Sequence, residues 1–138
     1  PPMPADLKAR SMPVRWRLNR RSSTTHHRRG LVAEHWARVY LALKGYRLVA
    51  RRYKTPLGEI DLIMRRGRTL VCVEVKARPT YENAAASLHP ANQARVARAA
   101  QLFLAHHPAY ATYHVRFDAV LIVWYSWPRH IPHAFAAP

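Results

Sequence analysis

Acidic side chains are scarce in this sequence, yet three of them stand close together in two neighbouring segments. The chain has 7 Asp plus Glu against 23 Lys plus Arg, a formal net charge of +16. Glu59 and Asp61 stand two residues apart in GEIDLI, and Glu74 stands two residues before Lys76 in VEVKAR. Residues two apart on a strand share one face of the sheet. If the two segments are paired strands, Asp61, Glu74 and Lys76 come together.

The chemistry of this set follows from the cost of placing like charges side by side. Two carboxylates in a partly buried sheet repel each other and lose hydration, so they need a cation or a proton to coexist. Carboxylate oxygens suit Mg²⁺ or Mn²⁺, which is usually shared with water and substrate phosphate. Lys76 would stabilise a developing phosphorane or orient the attacking water. The structural alternative is an ion pair between Glu74 and Lys76, with Asp61 capping the Arg-rich turn.

The positive charge predicts a polyanionic partner. Phosphate contacts release counterions, which favours the binding of a basic protein to nucleic acid. Nucleic acid is the partner expected, and a structural role beside RNA or in a ribosome is the weaker alternative. A further alternative is a binding module that keeps the fold but turns over slowly or only with a partner. The acids argue against a pure binder, because they repel phosphate.

Composition divides the chain into two parts. Residues 1–29 carry several prolines, a Ser-Ser-Thr-Thr tract, eight basic residues and one acid, which predicts a disordered basic arm. Residues 30–138 are long enough for one domain with a hydrophobic core. No run of about 18 apolar residues is present, so we expect a cytoplasmic protein without a membrane partner. The single Cys72 lies in an apolar run and is expected to be a buried, inert thiol.

Hydrophobic periodicity predicts the elements that position the acids. LVAEHWARVYLALKG, which begins at Leu31, predicts a helix with Gly45 at its C′ position. Its expected core-facing stripe consists of Val32, Trp36, Val39, Tyr40 and Leu43. Strands are predicted at 46–53, 59–64 and 69–76, with a turn at 65–68. The third strand is so apolar that it should be central in the sheet.

The second half of the sequence predicts a loop, a helix and one or two strands. The loop covers residues 79–89, and the helix begins at Pro90, a favoured first helical residue. Its expected buried side consists of Val96, Ala99, Ala100 and Phe103. A strand follows at 113–125, and residues 131–135 are expected to add a short edge strand. This order predicts an α/β or α+β fold with a mixed sheet flanked by helices.

The segments GEIDLI and VEVKAR resemble the bipartite motif of the PD-(D/E)xK nuclease superfamily, with Ile60 where the superfamily name has proline. More closely, the chain resembles the YraN family of bacterial endonuclease-like proteins, which are similar to archaeal Holliday junction resolvases. The resemblance covers nearly everything after residue 30. Beyond the two segments it rests on Glu34, Gly45-Tyr46, Gln93, Arg116-Phe117-Asp118 and residues 131–135.

This resemblance implies a restriction-endonuclease-like core and Mg²⁺- or Mn²⁺-dependent endonuclease activity on DNA, branched DNA included. Asp61 and Glu74 would be metal ligands and Lys76 the catalytic lysine, while Glu34 would complete the metal site from the first helix. Resolvase-like nucleases act as dimers on two-fold symmetric substrates, so a homodimer is expected by analogy.

Four further polar residues have a functional interpretation, a structural one, or both. Arg78 and Gln93 are expected to contact phosphate or water, although a polar helix start explains Gln93 equally well. If the resemblance is set aside, Glu34 is explained as a solvent-exposed residue that pairs with Arg38. Asp118 follows Arg116 by two residues and is expected to form an ion pair with it.

The histidines and two tryptophans also have types that could serve a function. The histidines occur largely as adjacent pairs without the spacing of a zinc site. Trp124 and Trp127, near a strand end, would be able to stack on bases, but core packing or a dimer surface is the first expectation.

Overall fold

The computed structural model describes residues 30–136, so the predicted basic arm lies outside the described residues. A five-stranded mixed sheet, flanked by helices, confirms the predicted fold class. The elements in chain order are helix α1 (described over residues 30–43), β1 (Arg47–Thr55), β2 (Gly58–Arg66), β3 (Thr69–Ala77), α2 (Tyr81–Ala86), α3 (Pro90–His106), a 3₁₀ turn (Pro108–Tyr110), β4 (His114–Ile122) and β5 (Arg129–Phe135). None of the helices in residues 30–136 is both long and apolar enough to cross a membrane.

Strand β3 is central, as its apolar sequence predicted. The strand order is β1-β2-β3-β4-β5, and β3 pairs antiparallel with β2 and parallel with β4. A parallel connection needs a crossover, which α2 and α3 provide. The remaining neighbours are antiparallel.

The sheet packs against a different helix on each face. Val71 and Val73 of β3 belong to the core cluster with α1, whereas Cys72 belongs to the cluster with α3. Helix α3 buries the predicted set Val96, Ala99, Ala100 and Phe103, together with Ala97. Burial raises the pKa of Cys72 to about 12, in agreement with an inert thiol.

The predicted buried face of α1 is wrong. The helix packs through Ala33, Ala37 and Leu41, which are spaced by four residues and buried. Trp36 and Leu43 are instead 53% and 79% exposed, and Val32 and Val39 are exposed as well. Small alanines let the helix approach the sheet closely, so packing geometry overrides the stronger apolar period of the larger side chains. Helix α1 therefore presents an apolar strip to solvent.

The other differences from prediction concern the ends of strands and one short helix that was not predicted. Arg65 and Arg66 continue β2, because residues 67–68 alone make the turn, with Gly67 at φ +60°. The predicted loop 79–89 contains α2, whose N-cap Thr80 accepts a hydrogen bond from the Asn83 N–H at 3.1 Å. Strand β4 ends at Ile122, short of residue 125, and the chain turns there into a loop.

Candidate functional site

Asp61 lies where β2 and β3 separate. The register between the two strands ends at the pair Leu62 and Val73. Beyond that pair, the Asp61 carboxylate accepts a hydrogen bond from the backbone N–H of Val75 at 2.8 Å. The side chain thus takes the place of a backbone carbonyl in the ladder. Its orientation is fixed at the mouth of a cleft between the two strands.

The cleft contains a small polar pocket of about 130 Å³. It is lined by Glu59, Asp61, Glu74, Lys76, Asn92, Arg95 and Val96. The Lys76 Nζ lies 3.1 Å from Glu74 Oε1. Glu74 Oε2 is buried and accepts no hydrogen bond from the described residues. One oxygen of the buried carboxylate is therefore neutralised, and the other is an acceptor that needs a partner.

A larger neighbouring pocket of about 780 Å³ shares Asp61 and Lys76 with the first one. Glu34 and Arg78 also line it. The two pockets together hold four of the seven acidic residues of the chain: Glu34, Glu59, Asp61 and Glu74. In a protein of net charge +16, this concentration of acids at one place marks a local site for positive charge.

The pKa shifts show how poorly this negative charge is compensated. Burial raises the pKa of Asp61 to about 7, the bond from Val75 opposes the rise, and repulsion from Glu34 and Glu74 adds to it. Burial also raises the pKa of Glu34, which the cation of Arg52 opposes. A carboxyl group with such a raised pKa gains from a bound cation, because the cation stabilises its ionised form.

The carboxylates fit a divalent cation. Glu74 offers a buried oxygen without a hydrogen-bond partner, and Asp61 offers a carboxylate destabilised by its neighbours. Within residues 30–136, no group of three or more His, Cys, Asp or Glu side chains converges as a metal-ligating cluster. The protein would thus supply two carboxylates, leaving other positions to water and substrate phosphate, as Mg²⁺ sites commonly do.

The sequence-predicted residues are not all placed alike. Asp61, Glu74 and Lys76 share one pocket, as strand alternation predicted, and Arg78 lines its neighbour. The Asp61 carboxylate accepts the Val75 N–H and does not cap the Arg-rich turn. The ion pair between Glu74 and Lys76, which the structural alternative predicted, does form.

Glu34 and Gln93 have surroundings that differ from those expected. Glu34 pairs at 3.6 Å with Arg52 and not with Arg38. Gln93 is absent from the lining of both pockets, and Asn92 and Arg95 of the same helix line the smaller one. A sequence signal for Asn92 was available: it stands four residues before the buried Val96, so the two residues share a helix face.

The model of the uncharacterised protein family UPF0102 matches residues 33–122, a range that includes all four pocket acids. A UPF0102 protein from Rhodopseudomonas palustris is 53% identical over 110 residues, covering 80% of this chain and 82% of that protein. One from Methylorubrum extorquens is 53% identical over 109 residues, covering 79% and 85%. One from Parvibaculum lavamentivorans is 54% identical over 109 residues, covering 79% and 82%. With the family model and these relatives in agreement, the chain belongs to the uncharacterised protein family UPF0102, the YraN family expected from its sequence.

Proposed function

We propose that this protein is an endonuclease that hydrolyses phosphodiester bonds of DNA, with Mg²⁺ or Mn²⁺ held by Asp61 and Glu74. The observation that carries the proposal is the buried Glu74 carboxylate. One of its oxygens lies 3.1 Å from the Lys76 Nζ, and the other has no hydrogen-bond partner among the described residues. Beside it stands Asp61, whose pKa is raised to about 7 by burial above all.

Asp61, Lys76 and Glu34 have roles that follow from their positions in the two pockets. A bound cation would polarise the phosphate and lower the pKa of a coordinated water. The Val75 N–H holds the Asp61 carboxylate in one orientation. The Lys76 ammonium, held against Glu74, places a positive charge in the pocket, where it stabilises negative charge developing on the phosphoryl oxygens. Glu34 supports the site through its charge on Asp61.

Charge favours hydrolysis over binding alone. The net charge of +16 draws a polyanion to the protein. The four acids of the two pockets would repel a phosphate group unless a cation neutralised them. Arg95 lines the smaller pocket and Arg78 the larger one, and both are suited to the flanking phosphates. A protein that only bound DNA would gain nothing from acids at this position.

The test is a cleavage assay on linear, nicked and four-way-junction DNA with Mg²⁺, Mn²⁺ or EDTA. We expect cleavage with either metal and none with EDTA. Lys76→Ala should slow cleavage by about 100-fold or more, the usual cost of losing one transition-state donor. The control Arg98→Ala removes the same charge from an exposed position on α3, outside both pockets, and should cleave at nearly the wild-type rate.

Two results would contradict the proposal. One is cleavage by Lys76→Ala at the wild-type rate, which would remove the lysine from the chemistry. The other is tight DNA binding without cleavage under every metal condition, which would identify a binding module with a nuclease-like fold.

A further inference from the structure

A groove rich in aromatic side chains lies beside the candidate site. Its volume is about 730 Å³. Its rings come from Trp36 of α1 and from Trp124, Tyr125 and Trp127 of the β4–β5 loop. All four are exposed, Trp127 to 79% and Trp36 to 53%. We call this feature, defined by these four residues, the aromatic groove. An exposed cluster of large rings on a protein surface marks an interaction site.

The loop that carries three of the rings has a defined shape. The Ser126 N–H donates to the Val123 carbonyl at 3.0 Å, and Tyr125 adopts a left-handed backbone with φ +64°. From α2, the Tyr81 hydroxyl donates to the Trp127 carbonyl at 2.5 Å. These hydrogen bonds hold the main chain of the loop and do not involve the rings that it carries.

The aromatic groove is continuous with the candidate site. Trp124 lines both the groove and the larger pocket that holds Asp61, Lys76 and Arg78. A strand with one phosphate at Lys76 would therefore bring neighbouring nucleotides to the groove. None of the described residues that line the groove is acidic. Arg129, directly after the loop, lies with its guanidinium 4.3 Å from the Tyr81 ring, which adds positive charge on this side.

We propose that the aromatic groove binds unpaired bases of a nucleic-acid strand by stacking, so that the substrate has unpaired nucleotides next to the cleaved bond. This inference rests on the nucleic-acid partner of the proposed function. Aromatic faces stack on any base, and this contact is available only where a base has left the duplex stack. An apolar protein partner would need no cation such as Arg129 beside the groove. A duplex offers its backbone and groove edges in place of base faces.

The test measures binding in EDTA, where no metal-dependent cleavage takes place. Fluorescence anisotropy with the full chain compares three labelled probes: a thymidylate dodecamer, an abasic dodecamer with the same phosphates, and a duplex. Wild type should bind the thymidylate probe more tightly than the abasic one. Trp127→Ala should weaken thymidylate binding by roughly 5- to 150-fold, the range for loss of one stacked base, and leave binding of the abasic and duplex probes unchanged.

Two further variants make the result specific to stacking. Trp127→Phe keeps an aromatic face and should retain most of the preference for bases. Leu43→Ala removes an apolar side chain that is also 79% exposed but lies outside the groove, and it should bind like wild type.

Three outcomes would overturn the inference. They are an equal loss of thymidylate and abasic binding in Trp127→Ala, no loss at all, or a wild-type dimer in sedimentation that Trp127→Ala converts to a monomer. The last result would assign the groove to a second copy of this chain. Base-dependent binding without cleavage in any metal would support the groove while removing the hydrolytic function. Cleavage without base-dependent binding would support the hydrolytic function while removing the role of the groove.

Discussion

Asp61 and Asp118 show how partners decide the role of a carboxylate. Asp118 is fully buried and accepts two bonds of 2.8 Å from Arg116 and one of 2.6 Å from His130. Although burial acts to raise it, these bonds lower the pKa of Asp118 to about 2. Asp61 has the single bond from Val75, so burial prevails and raises its pKa to about 7. Asp118 is satisfied within the protein and is structural, whereas Asp61 gains from an added cation.

The lowered pKa of Asp118 predicts an acid-dependent loss of stability. Its folded-state pKa lies below the ordinary value of 3.8, so its contribution is complete above about pH 4 and is lost as pH falls towards 2. The loss should amount to about 2 kcal/mol of the free energy of unfolding. Urea unfolding at pH 7, 4 and 2.5 measures it. Asp118→Asn should cost about 3–5 kcal/mol at pH 7, and its deficit should shrink between pH 4 and 2.5.

Glu82→Gln is the control for this prediction, since it removes an exposed carboxylate on α2 and should leave the loss of stability at low pH unchanged. A deficit of Asp118→Asn that stays constant from pH 7 to 2.5 would show that the charge of Asp118 does not stabilise the fold.

At the scale of elements, the start of β2 fixes the position of α3. A Cβ added to Gly58 would lie 2.2 Å from the backbone oxygen of Arg95 and 2.7 Å from its carbonyl carbon. Real Cβ atoms do not approach a backbone so closely, so the strand and the helix come this near to each other at Arg95 only because residue 58 is glycine. The contact sets where α3 presents Asn92 and Arg95 to the pocket beside Asp61.

Gly58→Ala should therefore push α3 away from the sheet. We expect a loss of about 2–3 kcal/mol in the free energy of unfolding, as for overpacking against a backbone that cannot yield. Thermal or urea unfolding measures it. Gly30→Ala is the matched control, because a Cβ at residue 30 has no atom within 4 Å, and this variant should be at least as stable as wild type. Equal stability of wild type and Gly58→Ala would show that the two elements are not locked together.

The sequence predicted what depends on local pattern and missed what depends on tertiary packing. The alternation of β3 correctly placed Glu74 and Lys76 on one face, and a spacing of two correctly paired Arg116 with Asp118. The partner His130 was missed, because the β4–β5 pairing that brings it to Asp118 is not local. The prediction of the buried face of α1 was wrong, because the small alanines that pack there leave no strong hydrophobic signal in the sequence. Because of that error, the sequence did not predict that Trp36 lies at the surface.

At the scale of the whole molecule, charge and aromatic surface are arranged around one place. The chain carries +16, yet four of its seven acids line two adjoining pockets, and the exposed rings of the aromatic groove lie beside them. A basic surface attracts a polyanion, and the acids then require a cation before phosphate can approach. Under the proposed function, the basic surface and the aromatic groove would hold DNA without metal, and placing a phosphate among the acids would require the bound cation.

The most direct measurement of this claim is thermal unfolding of wild type, Asp61→Asn and Lys76→Ala, each with Mn²⁺ and with EDTA. Mn²⁺ should raise the Tm of wild type by mass action, with about 3 kcal/mol of stabilisation at a hundredfold excess over its Kd. Asp61→Asn should lose this effect and in EDTA should be as stable as wild type or more stable, because the substitution relieves repulsion at nearly constant volume. Lys76→Ala should keep the effect, since an ammonium does not ligate metal. A wild-type Tm indifferent to Mn²⁺, with both substitutions destabilising, would contradict the account and leave Glu74 and Lys76 as an ordinary ion pair.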